Sequence, residues 1–178
     1  MYKFKRLVLA ATAIAMFAIS SHVVYADQGT VSAMAPWQGE GQLYQVGPEQ
    51  ALFVGAFNGI MYVQTGKDSL DALLMLCPGA QTLNLENGTT ESDGFCTFED
   101  PSGDRVFAKW KCTGKLGACK GVMTLTGGTG RFKGISGGGD MVARSVLSKL
   151  AGNLESGSII RSAAGLVVWP ELSYSIPE

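Results

Sequence analysis

The sequence contains a single histidine, His22, and that residue lies in a segment typical of a secretory signal peptide. Three basic residues precede an apolar run from Leu7 to Ile19, and a short segment ending at Ala26 follows. Cleavage is expected after Ala26. The mature chain would then have no imidazole, which excludes a Ser-His-Asp or Cys-His catalytic pair, a histidine general base and a histidine-ligated zinc ion.

Long hydrophobic runs are also lacking. The run from Leu7 to Ile19 is shorter than the roughly 20 residues that a membrane-crossing helix needs, and no later run is longer. No cysteine lies near the expected cleavage point, so a lipid anchor is not expected. We therefore predict a periplasmic or secreted protein with no stable membrane insertion after cleavage.

Positive charge is scarce in the part that would remain after cleavage. The chain has 14 basic and 15 acidic residues, and three of the basic ones lie in the leader. Nucleic-acid binding needs clustered Lys and Arg to replace counterions. The mildly acidic balance with scattered cations therefore predicts no nucleic-acid partner.

Four cysteines are present, an even number in a chain predicted to be exported. Disulfides are the expected state, because the spacings contain no CxxC pair that would indicate a metal site. Four cysteines can form two disulfides in three different ways. We favour Cys112 with Cys119 and Cys77 with Cys96, and we predict no metal and no cofactor.

Glycine is abundant, and all 24 glycines fall after residue 28. Their close spacing leaves little room for helices, and the segments between them are rich in Val, Ile, Phe, Tyr and Thr, as strands are. In residues 105–112, "RVFAKWKC", Val106, Ala108, Trp110 and Cys112 alternate with Arg105, Phe107, Lys109 and Lys111. This pattern predicts a half-buried strand with these four side chains facing inward.

Strands are predicted over the ranges that follow, whereas residues 145–156 could hold a short helix. They are 41–46, 51–64, 70–77, the hairpin 94–111, 120–126, 139–146 and 164–174, with Pro170 at an edge or bulge. Eight or nine strands joined by tight turns favour an antiparallel sheet that closes into a barrel and so removes its edges. We assign 1–26 to the signal peptide, 27–36 to a flexible segment and 37–178 to a single β-barrel domain.

The segment "TLTGGTGRFKGISGGG", residues 124–139, could be a phosphate-binding loop or a structural corner. A Walker loop needs Lys after its second glycine, but Arg131 follows Gly130. The dinucleotide fingerprint needs a third glycine where Lys133 stands, and it must open a helix, which glycines disfavour. The corner is the better interpretation, with Phe132 and Ile135 anchored in the core, and with Arg131 and Lys133 in water.

Two segments carry a resemblance to a known family: "GFCTFEDPSGDRVFAKWKC" (94–112) and "GGTGRFKGISG" (127–137). They resemble the bacterial members of the allene oxide cyclase-like barrel family, whose distant plant relatives are the allene oxide cyclases and the dirigent proteins. The similarity covers residues 37–177. It implies an all-β fold, an eight-stranded antiparallel β-barrel of calycin type whose interior admits a small apolar molecule. The functional positions of the plant proteins do not match residues here, so no reaction follows from the resemblance.

Barrels of eight strands are either filled by side chains or hold one small ligand. Inward aromatic residues therefore either pack the core or line a cavity. We take Tyr44, Phe53, Phe57, Tyr62 and Trp110 as candidate ligand-binding residues, together with Trp169 near the chain end.

Arg144 is the candidate for a charged ligand contact, because it stands between two valines in "MVARSV". It either points inward, where it could hold a carboxylate, or lies outside with its stem on apolar surface.

Three functions are compatible with these features. The first is an exported barrel that binds a small hydrophobic or amphipathic molecule without transforming it. The second is an isomerase or cyclase that confines a reactive substrate, for which Glu40, Tyr44 and Asn58 are the nearest acid–base candidates. The third is a protein-interaction module of the envelope. No catalytic residue is assigned, and a homo-oligomer is compatible with all three.

Overall fold

The structure is a computed structural model that describes residues 27–66, 69–146 and 158–177. Within these ranges the chain forms eight strands and one 3₁₀ turn, and the strands close into an antiparallel barrel in chain order. The strands are β1 Asp27–Gly47, β2 Gln50–Gly66, β3 Ser69–Asn84, β4 Thr89–Glu99, β5 Arg105–Lys115, β6 Ala118–Gly128, β7 Ser136–Val146 and β8 Ser158–Ile176. The all-β barrel is confirmed, whereas the leader and nearly all of the predicted helix at 145–156 lie outside the described residues.

No helix within the described ranges has the length and hydrophobicity that crossing a bilayer requires.

The start of the barrel differs from the prediction, because residues 27–36 form the first half of β1 rather than a flexible segment. Asp27 pairs with Ile176 and Val31 with Leu172, so this stretch closes the barrel against β8. Its odd-numbered residues from 29 to 35 are small or apolar, and Ala33 and Ala35 are buried. The alternation of residues 31–35 is thus the same strand signal that was recognised further along the chain.

Pro170 lies in a bulge of β8, as one of its two predicted placements required. Val31 faces Leu172 and Ala33 faces Trp169, so β8 has one residue more than β1 in this interval. A bulged position suits proline, which has no N–H to give to the ladder. Because of the extra residue, the inward side chains of β8 have odd numbers up to Trp169 and even numbers from Leu172 onward. Both of these side chains are buried.

Inward aromatic rings lie against glycines of neighbouring strands. Trp110 on β5 is directly opposite Gly94 on β4, which in turn is opposite Gly79 on β3. A Cβ atom added at Gly94 would lie 2.9 Å from Cε2 of Trp110, and one at Gly79 would lie 2.7 Å from Cζ2. The indole therefore covers two strands, and only glycine leaves it that space.

The same arrangement recurs where β1 pairs with β2 and with β8. Trp37 faces Gly165 across the β1–β8 pair, and its ring occupies the volume that a side chain at Gly165 would need. The ring of Phe53 likewise covers Gly41 and Gly55. Large and small residues thus alternate around the inner wall, which is how a narrow barrel accommodates large rings.

Two disulfides join neighbouring strands, and both favoured pairings are confirmed. Cys77 on β3 bonds Cys96 on β4, and Cys112 on β5 bonds Cys119 on β6. Each links two strands that are already hydrogen-bonded to one another, so the bond limits the unfolded chain without imposing new topology. The pair of disulfides is consistent with an oxidising compartment.

The glycine-rich segment is a corner between β6 and β7, as predicted. A single 3₁₀ turn spans Gly130–Phe132, and Gly130 has a φ of 51°, in the left-handed region that favours glycine. The backbone N–H of Arg131 donates to the Asp104 carboxylate at 3.0 Å. The anion held by this loop is thus the chain's own carboxylate. Ile135 is buried and Phe132 packs against the core, as expected.

The turn between β4 and β5 is built on Asp100, which is buried. Its carboxylate accepts hydrogen bonds from the backbone N–H and hydroxyl of Ser102 and from the N–H of Asp104, and it pairs with Arg131 at 2.7 Å. The Ser102 hydroxyl bond is the main cause that lowers the pKa of Asp100; burial opposes it, and the backbone bonds and Arg131 add to it. Asp100 therefore ties the turn to the glycine corner as a carboxylate.

We expect Gly165→Ala to lower the free energy of unfolding by about 1–3 kcal/mol, because the new methyl group overlaps the Trp37 ring and the Arg144 carbonyl oxygen. Urea unfolding monitored by circular dichroism measures the effect. The control is Gly47→Ala, whose Cβ would come no closer than 3.5 Å to Gln50; it should stay within about 0.5 kcal/mol of the wild type. Equal effects of the two variants would contradict the packing assigned to Trp37.

We expect Asp100→Asn to lower the thermal midpoint at neutral pH. A carboxylate with a lowered folded-state pKa stabilises the fold above its unfolded pKa, and this contribution is lost as pH falls through the folded value. The difference from the wild type should therefore shrink on acidification below about pH 4. Calorimetry across pH measures it, with the exposed Asp93→Asn as control. A difference that is constant across pH would show that the carboxylate charge is not responsible.

Candidate functional site

The barrel interior contains two cavities at opposite ends. The first, here called the aromatic cavity, has a volume of about 140 Å³ and lies toward the β1–β2 and β3–β4 turns. The second, here called the corner cavity, has a volume of about 300 Å³ and is bounded by Phe132 and Ile135 of the glycine corner. Met123 borders both. Phe98 lines the corner cavity and Trp169 the aromatic one, and their rings meet edge to face at 6.3 Å between centroids.

Four aromatic rings form a cluster on one side of the aromatic cavity, and three of them contact the fourth. Phe57 is central: its centroid lies 5.0 Å from Trp37, 5.9 Å from Phe53 and 6.0 Å from Trp110. The contacts with the two tryptophans are edge to face, the geometry that the ring quadrupole favours. The glycine positions described above hold these rings against the wall and leave the space between them open.

Sulfur-bearing side chains form much of the remaining wall. Met75 and Met141 line the cavity beside Met123, and both disulfides contribute through Cys77, Cys96 and Cys119. Thioethers are polarisable and adapt to irregular shapes. The wall therefore suits an apolar guest of variable outline.

Two polar atoms in this wall have no hydrogen-bond partner within the described part of the protein. They are the indole Nε1–H groups of Trp110 and Trp169. Trp110 is 8% exposed and Trp169 is 2% exposed, so these donors are removed from solvent. Leaving a buried donor unpaired costs about 1–3 kcal/mol. Neither nitrogen is accessible to a water-sized molecule, so an acceptor on a ligand would recover that cost only when the cavity wall adjusts around it.

A third polar element of the wall is already paired. The Gln81 side-chain amide donates to the Ser92 hydroxyl oxygen at 3.0 Å. Among the described residues that line the cavity, none carries a charge or titrates near neutrality, since the three cysteines are in disulfides. The wall therefore favours an uncharged guest.

No group of three or more potential metal ligands of the His, Cys, Asp or Glu type occurs in the described ranges.

The corner cavity differs in its charges. Asp27, Asp71 and Arg131 border it, and the Arg131 guanidinium is already paired with Asp100 and lies over the Phe132 ring at 4.5 Å. Arg131 therefore has a structural role, because it joins the β4–β5 turn to the glycine corner. Of the two cavities, the aromatic one alone is lined by residues with unpaired buried donors among the residues described.

The structure brings together part of the set predicted from sequence. Phe53, Phe57 and Trp110 line the aromatic cavity with Trp169. Tyr44 and Tyr62 do not line it, because inward residues of β1 and β2 have odd numbers, as the buried Leu43 and Met61 show. The Tyr44 hydroxyl instead donates to the side chain of Gln42 on the outer surface.

Arg144 lies on the outside of the barrel. It is exposed, and its guanidinium donates to the backbone oxygen of Ala143 at 3.1 Å. Its neighbours Ala143 and Ser145 are the inward residues that line the cavity. The outward alternative is therefore the one that the structure shows.

The acid–base candidates are also outside. Glu40 and Asn58 are exposed and occupy outward positions of β1 and β2. Tyr44 is outside as well, so none of the three groups that a cyclase was predicted to use lies in the aromatic cavity.

Trp37 and Gln81 line the cavity but were not predicted. Trp37 follows Ala33 and Ala35 on the inward phase of β1, so extending that strand backward would have identified it. Gln81 is in phase with Cys77 on β3. Its polar character gave no sign of an inward position.

The chain matches no protein-family model, and a comparison with curated proteins gives no match.

Proposed function

We propose that the protein binds one small, uncharged, mainly apolar molecule in the aromatic cavity and does not transform it. The observation that supports this most directly is the pair of unpaired indole N–H donors, on Trp110 and Trp169, in a wall of rings and sulfur atoms. The guest should therefore carry a hydrogen-bond acceptor, such as a carbonyl or ether oxygen.

The cavity volume sets the size of the guest. Apolar cavities of about 150 Å³ in proteins stay dry and admit a molecule the size of benzene. The aromatic cavity, at about 140 Å³, is of that size. A single ring with a short substituent fits, whereas longer molecules exceed this volume.

The expected affinity is modest. Burying about 200 Å² of a one-ring guest at 25 cal/mol per Å² gives about 5 kcal/mol before the entropy of association is subtracted. A pairing with an unsatisfied donor adds about 1 kcal/mol. Because association costs at least about 4 kcal/mol, we expect one-ring probes to bind weakly, with dissociation constants in the millimolar range or above.

Binding is favoured over catalysis because the wall offers no proton-transfer group. General acid–base chemistry needs a group that exchanges a proton near the operating pH, within hydrogen-bond reach of the substrate. The described residues that line the aromatic cavity provide amide, hydroxyl and indole groups only. Confinement is thus the only contribution that this wall offers to a cyclisation.

The proposed setting is the periplasm or the extracellular medium. The leader predicted at residues 1–26 and the two disulfides both favour an oxidising compartment. The resemblance to the allene oxide cyclase-like family agrees with the closed eight-stranded barrel, and we include that relationship in the proposal.

The test uses two probes of nearly equal shape, acetophenone and α-methylstyrene, which differ in whether a carbonyl oxygen or a methylene group is present. The protein has three tryptophans, so three indole N–H signals can be assigned by Trp→Phe substitution and followed by ¹H–¹⁵N NMR. Acetophenone should shift the signal of Trp110, Trp169 or both. It should also bind about 5- to 10-fold more tightly than α-methylstyrene, because only the carbonyl accepts a hydrogen bond.

Two neighbouring residues provide the matched variants. Ala143→Leu places a larger side chain in the cavity and should abolish binding, whereas Arg144→Leu alters the outer surface and should leave it unchanged. The indole spectra of the free variants report whether each is folded. Binding that survives Ala143→Leu, or indole signals that neither probe moves, would reject the aromatic cavity as the site.

A further inference from the structure

The outer surface of the barrel is divided into a charged face and a face without charge. The charge-free face, here called the apolar face, consists of the outward side chains of β2 and β3. These are the even-numbered residues from 52 to 64 and from 70 to 82, and none of them is Asp, Glu, Lys or Arg. Their outward position follows from the buried odd-numbered residues of the same strands, such as Met61 and Met75.

The next strands have the opposite composition. The outward positions of β4 and β5 carry Glu91, Asp93, Glu99, Arg105, Lys109, Lys111 and Lys115. Lys111 faces Asp93 across the pair, and Arg105 forms an ion pair with Glu99 at 2.6 Å. The outward side of β4 and β5 is therefore charged, whereas the charge-free outward positions of β2 and β3 continue onto residues 30–38 of the neighbouring β1.

Large apolar side chains at the centre of the apolar face are unusually exposed. Leu74 is 63% exposed, Leu70 is 61% and Leu76 is 49%. Ile60 lies directly opposite Leu74, and Tyr62 lies between Ala72 and Met34 of β1, so the apolar side chains are contiguous across strands. A contiguous exposed patch of this kind marks an interaction surface.

The area of the apolar face can be compared with what a stable dimer buries. Strands rise about 3.3 Å per residue and lie about 4.8 Å apart. Two strands of thirteen residues therefore cover about 400 Å² before the relief of the exposed side chains is counted. A standard interface buries about 800 Å² on each partner.

We propose that two copies of this chain associate through the apolar face, β2 and β3 of one copy stacking on β2 and β3 of the other. Interfaces between identical subunits are more apolar than those between different proteins, and a twofold axis lets one patch be its own complement. The apolar face carries no charge that would steer or select a partner of opposite sign. This inference does not depend on the proposed ligand, because the aromatic cavity lies on the other side of the sheet.

The first measurement is the mass of the full exported chain, by native mass spectrometry and sedimentation velocity at micromolar concentration. A mass of two chains is expected. Leu74→Arg, at the centre of the apolar face, should weaken the dimer by about 100-fold or more, because it buries an unpaired charge. Leu76→Arg should act in the same way.

The matched control is Val122→Arg, an outward residue of β6 that is 48% exposed, close to the exposure of Leu76. It faces Lys111 and Asp140 on the charged side and should leave the dimer intact. Circular dichroism of each variant shows whether the barrel is folded. A monomer at all concentrations would overturn the proposal, as would a dimer that Leu74→Arg and Leu76→Arg leave unchanged.

A further arm tests a lipid surface as the competing occupant. Co-sedimentation with phosphatidylcholine vesicles, lost in Leu74→Arg, together with a monomeric mass in solution would show that the apolar face binds membrane instead. Absence of vesicle binding together with a dimer sensitive to Leu74→Arg supports association between copies.

Discussion

The close packing of aromatic rings on glycines is the constraint on which the rest of the barrel depends. Eight strands enclose a space barely wider than the side chains that fill it. Trp110 lies over Gly94 and Gly79, and Trp37 lies over Gly165, so each indole replaces side chains that are missing on the neighbouring strands. Because these rings lie along the wall rather than across the lumen, the barrel can close around large residues and still keep an open interior.

That packing also explains why polar atoms are left unpaired. A ring held flat between strands cannot turn to find an acceptor, and the backbone oxygen atoms beside it are engaged in the ladder. The buried N–H group of Trp110, whose ring lies over Gly94 and Gly79, is thus a consequence of how the wall is built, and that of Trp169 is likewise without a partner among the described residues. A fold optimised only for stability would replace them, since an apolar ring costs nothing to leave without a partner. Their presence is more readily understood if an acceptor enters the cavity.

Sequence reasoning identified the strands better than the faces of the strands. Trp110 was placed inward because residues 105–112 alternate without interruption, and the structure agrees. Tyr44 and Tyr62 were chosen for their aromatic character, although the phase of β1 and β2 points both outward. In β2 both faces are largely apolar, so alternation carries little signal and the phase becomes known only when partners are known. In β1 the polar even positions Gln38, Glu40 and Gln42 do show the phase, and they place Tyr44 outward. Arg144 could not be assigned to one face from the sequence for a related reason, since flanking valines indicate apolar surroundings on either side of a sheet.

The two-sided apolar character of β2 and β3 links the inner and outer surfaces. Phe53, Phe57 and Met75 form the cavity wall from the inside, while Ile60 and Leu74 are exposed on the outside of the same strands. A strand that is apolar on both faces is normally covered on both, as in layered folds. Closure of the barrel covers only the inner face, so the sequence of these two strands is fully accounted for only if the outer face is buried as well. Such burial would also hold the wall of the aromatic cavity in place, because the strands that bear its rings would be packed from both sides.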